Sequence, residues 1–243
     1  MDRIKEREID MQDYPLHFRS GLMFLDHGGL WLLDSGSPSS FSERESLELE
    51  GRGFELAGSL MGFNAEKISD LVGFEVAGLL GTDVMNELDW LFDLPAGRVT
   101  VSTEPLPVAG PSIELDGIMG VPVIPAEVGG KHCQVILDTG AELSYFPVEF
   151  FDGLAPNGRF HDFNPVLGAF DVDVYCLEAR IAGLPFNLRS ATIPENFGLL
   201  RMAFQMAGAH GLLGIQVFQS QPVLYAPRQE RLAILSARAR AKD

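Results

Sequence analysis

Read for its apolar and polar positions, the chain is a succession of short alternating runs broken by glycines, a pattern that predicts β-hairpins. Tyr14 to Phe18 and Leu22 to Leu25 read as strands. Asp26-His27-Gly28-Gly29 is then a hairpin turn whose second arm runs through Leu30-Trp31-Leu32-Leu33 to Asp34. Leu47 and Leu49, then Phe54 and Leu56, alternate on either side of Glu50-Gly51-Arg52-Gly53, a second hairpin signal. Asn64 to Val72 departs from this period. A capping Asn followed by Ile68, Leu71 and Val72 on one face predicts a short helix. After Gly78-Leu79-Leu80-Gly81, Trp90 to Val101 reads as another hairpin turning at Pro95-Ala96-Gly97. Thr103 to Pro111, proline-rich and aperiodic, reads as a semi-rigid linker.

Beyond the linker the plan repeats. Val121 to Val128 and His132 to Asp138 flank the turn Gly129-Gly130, so a hairpin again ends at an acid. Pro147 to Leu154 predicts a short helix, Asp171 to Leu188 alternates as strands turning near Ala182-Gly183, and the apolar, helix-forming Leu199 to Ala207 precedes Gly211-Leu212-Leu213-Gly214. A shift of 133 positions superposes Gly78–Ser102 on Gly211–Leu235 without a gap, matching Phe92 to Tyr225, Arg98 to Arg231 and Val101 to Ile234. Repetition of this length implies two lobes of like fold, 1–110 and 111–243. The two acids are offset by only 104 positions, so the second lobe carries about thirty more residues between its Asp and its Leu-Leu-Gly.

The chemistry lies where apolar runs break into Asp34-Ser35-Gly36 and Asp138-Thr139-Gly140. A carboxylate beside so much apolar sequence must be hydrogen-bonded, paired or protonated. Ser35 and Thr139 can hydrogen-bond the turns, and Gly36 and Gly140 admit another chain where a side chain would collide. Brought face to face, the two acids would share one proton, one serving as general base and the other as general acid, which suits activation of a water against an amide carbonyl. Ser37 can donate a hydroxyl hydrogen bond to Asp34, whereas the matching Ala141 cannot serve Asp138. Asp34 should therefore carry the charge and Asp138 the proton.

Asp-Ser-Gly and Asp-Thr-Gly, each followed by Gly-Leu-Leu-Gly, resemble the two half-sites of the aspartic proteases. Proton sharing between two aspartates is the established behaviour of that family. The resemblance implies an all-β, bilobal fold and an endopeptidase with Asp34 and Asp138 catalytic. Ser35, Gly36, Ser37, Thr139 and Gly140 would support the turns. It also implies a peptide or protein substrate, no cofactor, and a monomer, since one chain holds both half-sites. Ala141-Glu142 after the second motif is similar to retroviral members. The hairpin at Glu50–Gly53 stands where the first lobe of a pepsin carries its substrate-covering flap, without the tyrosine usual there, and so can equally be structural. That absence and the unequal lobes motivate the alternative of a protein that keeps the fold and binds peptides or proteins without cleaving them.

Composition narrows the partners. With 46% apolar and 21% charged residues the chain can bury a substantial core, and its formal net charge of -16 disfavours nucleic acid and anionic membranes. Met1–Glu8 is densely charged without an apolar signal region, and no run is long enough to span a bilayer. Cys133 and Cys176, both in strand-like contexts, read as reduced core residues of a cytoplasmic protein. The five histidines show no ligand-spaced pair, and Asp171-Val172-Asp173 lacks the glycine and terminal Glu of a calcium loop, so no metal is expected. Arg238, Arg240 and Lys242 read as a solvated terminus.

Overall fold

The computed structural model describes residues 11–165, 168–194 and 197–235. The charged segment Met1–Glu8 and the basic residues Arg238, Arg240 and Lys242 lie outside them. The architecture is all-β and bilobal, with three short α-helices among the described residues.

The first meander forms as its alternation requires: β1 (Met11–Arg19), β2 (Leu22–Asp26) and β3 (Leu30–Leu33) are antiparallel neighbours. Pro15, which has no N–H to donate, marks the point where β1 changes partner. After β4 (Phe41–Ser42), the hairpin of β5 (Ser46–Leu49) and β6 (Arg52–Glu55) turns on Glu50 and Gly51, both at positive φ. The predicted helix is α1 (Ala65–Val72). Asn64 caps it by accepting from the Lys67 amide, and Gly73 ends it in the left-handed conformation. Then follow β7 (Gly78–Leu80), α2 (Thr82–Met85), and the hairpin of β8 (Asp89–Asp93) and β9 (Arg98–Ser102).

Past the linker come β10 (Ser112–Glu114), β11 (Asp116–Ile118), β12 (Val121–Val128), β13 (Lys131–Leu137) and β14 (Ser144–Phe146). The helix predicted over Pro147–Leu154 is a single 3-10 turn, Val148–Phe150, because Gly153 at positive φ turns the chain away. Next are β15 (Gly158–Asn164), the long β16 (Gly168–Ile181), β17 (Leu184–Thr192) and α3 (Gly198–Ala207). The chain closes with β18 (Gly211–Leu213), β19 (Val223–Ala226) and β20 (Arg231–Ile234).

One sheet runs β10-β20-β19-β8-β9-β1-β2-β3-β7-β4 and a second β11-β12-β13-β18-β14-β17-β16-β15. In the first, the repeated hairpins β8–β9 and β19–β20 pair with each other, with Leu91 opposite Leu224, two positions related by the 133-residue shift. The internal repeat thus meets itself across an approximate two-fold axis. Trp90, Phe92 and Tyr225 on one face of this junction join the main core, while Leu224 packs with Leu106 of the linker on the other. The linker is pinned there: Asp89, fully buried, accepts from the Leu106 amide and from Gln229, and pairs with Arg228 at 3.2 Å.

The cysteine expectation needs correction. Cys133 is buried in the main core, but Cys176 is exposed, and both are free. The cause is a change of buried face along β16. Val172 and Val174 pack into one apolar cluster, whereas Leu177, Ala179 and Ile181 pack from the opposite side of the strand into another. Cys176 shares the parity of the first pair but lies in the second half, so it points to solvent.

Candidate active site

Each Asp sits at the end of a strand clamped from beneath. β3 runs parallel to β7, and the Asp34 amide donates to the Leu80 carbonyl at 3.0 Å; β13 runs parallel to β18, and the Asp138 amide donates to Leu213 at 2.9 Å. The apolar residues of Leu-Leu-Gly fill the core side. Their final glycines lie against the chain just past each acid: a Cβ on Gly81 would stand 2.7 Å from the Ser37 carbonyl oxygen, and one on Gly214 2.7 Å from that of Ala141.

The two turns are locked to each other. The Ser35 amide donates to Thr139 Oγ1 at 2.9 Å and the Thr139 amide donates to Ser35 Oγ at 3.0 Å. Each hydroxyl then donates across the junction, Ser35 to the Leu137 carbonyl and Thr139 to that of Leu33. Both residues are buried, so their polar groups depend on these four bonds. The lock brings the acids together. Their side chains hydrogen-bond to each other, and a Cβ on Gly36 would lie 2.5 Å from Asp138 Cγ, as one on Gly140 would lie 2.4 Å from Asp34 Cγ. The structure therefore gathers Asp34, Ser35, Gly36, Ser37, Asp138, Thr139 and Gly140 at one point.

The acids are not equivalent. Burial raises the Asp34 pKa above the ordinary carboxyl value, but the bond from Asp138 and the amides of Gly36 and Ser37 oppose the rise. Burial also raises Asp138, and the charge of Asp34 and the shared hydrogen bond push it further, well above the ordinary value. Asp34 Oδ1 accepts two backbone N–H groups, at 2.9 and 3.1 Å, and Asp138 Oδ1 accepts one, from Gly140. Asp34 is thus the better placed to hold the charge and Asp138 the proton. The expected role of the Ser37 hydroxyl is corrected: that group donates to the Ser39 carbonyl, and it is the Ser37 amide that serves Asp34. The turn directs the side chain away from the acid and the N–H toward it.

Several supporting residues escape a reading by tripeptide. Six positions beyond each Asp stand Ser40 and Ser144, whose hydroxyls accept from the Gly81 and Gly214 amides. Ser40 in turn donates to Asp83 at 2.5 Å, and Ser144 to Gln216 at 3.2 Å. Asp83 and Gln216 are related by the same 133-residue shift that revealed the repeat, which was the available signal.

The Glu50–Gly53 hairpin is fastened to the body. Tyr14 donates to Glu50, His27 bonds the Glu48 carbonyl, Arg52 pairs with Glu87, and Leu47 and Leu49 are buried in the core. The β15–β16 hairpin instead reaches toward the acids and the opposite lobe. Asp162 is near enough to Asp138 to act on its charge, and Phe163 stacks on Phe63 of the first lobe with ring centroids 5.6 Å apart. Among the described residues no cluster of three or more His, Cys, Asp or Glu side chains is arranged to hold a metal ion, and no helix is long and apolar enough to cross a membrane.

No protein-family model matches the chain, and no curated protein matches it. Among solved structures, the solution structure of the Simian Foamy Virus (mac) protease aligns with 38% of this chain and 86% of its own length, at 20% identity and a TM-score of 0.28.

Proposed function

We propose that the chain is an aspartic endopeptidase that hydrolyses peptide bonds with a water held between Asp34 and Asp138. The observation that carries this reading is the reciprocal Ser35–Thr139 lock, which holds two buried carboxyl groups against each other, with Asp138 pushed further above the ordinary carboxyl value than Asp34. In this reading Asp34, as carboxylate, takes a proton from the water as its oxygen attacks the amide carbonyl carbon, and Asp138 gives its proton to the carbonyl oxygen. Collapse of the tetrahedral gem-diol then breaks the C–N bond while the proton held by Asp34 passes to the leaving nitrogen and one hydroxyl proton of the diol returns to Asp138. Because one chain supplies both acids, a monomer of lobes 1–110 and 111–243 suffices. The acidic surface suits neutral or basic peptide segments, and a reducing compartment such as the cytoplasm suits the two free thiols.

The test is incubation of the protein with unfolded polypeptides from acid to neutral pH, with products read by mass spectrometry. New termini that appear with wild type and not with Asp138→Asn support the reading. Equal, negligible cleavage by both at every pH would defeat it and leave a peptide-binding protein of the same fold.

A further inference from the structure

Between the pairs Gly158–Val174 and Asp162–Phe170, the inward face of the β15–β16 hairpin is apolar except at one position. In register, Val174 is followed by the pair Phe160 and Val172, then by Asp162 opposite Phe170. Val172 and Val174 are buried, and Phe160 and Phe170 pack against the same cluster, which includes Tyr145, so the pattern calls for an apolar residue at 162. A carboxylate stands there. Its Oδ2 accepts a hydrogen bond from the Tyr145 hydroxyl, its Oδ1 accepts one from the Phe163 amide, and no cationic side chain pairs with it among the described residues. Tyr145 lies on β14, which flanks the β18 strand that supports Asp138. Burial and the neighbouring Asp162 raise the Tyr145 pKa, so its hydroxyl stays a donor.

We infer that Asp162 is a positioning residue, which through Tyr145 fastens the β15–β16 hairpin to the strand that flanks the support of Asp138 and places a carboxyl group within electrostatic reach of that acid. The inference deepens the protease reading and rests on it for its functional meaning. The charge of Asp162 favours the protonated form of Asp138, adding to burial and to the charge of Asp34. Glu142, just past the Asp138 turn, acts on Tyr145 and is paired with Arg189 of β17 at 2.8 Å, whereas His161 lies on the outer face of the hairpin with Asp171. The Phe63–Phe163 stack adds an aromatic contact between the same hairpin and the first lobe.

Asp162→Asn keeps an acceptor for Tyr145 and removes the charge; Tyr145→Phe keeps the charge and removes the bond. Side-chain carboxyl carbons of Asp34 and Asp138 are followed by NMR from acid to alkaline pH, together with amide hydrogen exchange over residues 158–174. In Asp162→Asn the upper titration step of the pair should move toward acid, on the order of half a pH unit, with hairpin protection within about threefold of wild type. In Tyr145→Phe the hairpin amides should exchange at least about tenfold faster. An unmoved titration in Asp162→Asn, or unchanged protection in folded Tyr145→Phe, overturns the inference. If Tyr145→Phe fails to fold, the Asp162→Asn titration still decides. Neither readout needs catalysis, so a failed protease reading would leave this result standing.

Discussion

Ser35 and Thr139, 104 positions apart, each donate a backbone amide hydrogen bond to the other's hydroxyl oxygen, at 2.9 and 3.0 Å, and each hydroxyl donates in turn to a carbonyl of the facing strand. Ser35→Ala or Thr139→Val leaves a buried amide and a buried carbonyl without partners, which should cost about 2–4 kcal/mol in urea unfolding. The double variant should cost less than the sum, since both changes dissolve the same lock. Additive costs would mean that the two halves are held by something else.

Gly36 and Gly140 matter for space. A methyl group on Gly140 would sit 2.4 Å from Asp34 Cγ, so Gly140→Ala must drive the two carboxyl groups apart. Stability should fall by about 1–3 kcal/mol from overpacking, while kcat/KM should fall on the order of a hundredfold or more from misplaced acids. A variant that retains wild-type kinetics would show that the pair need not touch.

The raised acids also set a pH dependence of stability. Both have folded pKa values above the ordinary carboxyl value, so protonation favours the folded state. Their contribution is fully present below the unfolded pKa, about 4, and is lost as pH rises through the folded values. Wild type should therefore lose stability relative to Asp138→Asn, whose amide is neutral throughout, between mildly acid and alkaline pH. Parallel stability curves in urea titrations would contradict the shared proton.

If the Ser37 hydroxyl tuned Asp34, giving Ala141 a hydroxyl should shift the alkaline limb of activity toward acid. Since the Ser37 hydroxyl bonds the Ser39 carbonyl, a serine at 141 should meet the matching carbonyl of Leu143, and Ala141→Ser should leave the limb in place. A shift toward acid would show that the new hydroxyl reaches Asp138.

Much of this site was legible because its parts are local. The Asp turns, the strands that lead into them and α1 with its Asn64 cap follow from period and turn chemistry within a dozen residues. What was not legible depends on partners distant in sequence. Gly158 to Asn164, with Arg159, His161, Asp162 and Asn164, lacks the apolar content of a strand and becomes one by pairing with β16. The same absence hid the hairpin that reaches the acids, and so the contact of Asp162 with Tyr145. The pinning of the linker by Asp89 and the exposure of Cys176 likewise depend on which sheet face is covered, which no local pattern records.

As a catalytic dyad, Asp34 and Asp138 should act as one unit. The most direct measurement is kcat/KM on a peptide cleaved by wild type, for Asp34→Asn, Asp138→Asn and the double variant, each shown to be folded. Each single change should remove nearly all activity and the double variant should be hardly worse, because residues acting together are strongly non-additive. Partial losses that multiply in the double variant, or substantial activity left in either single one, would contradict it.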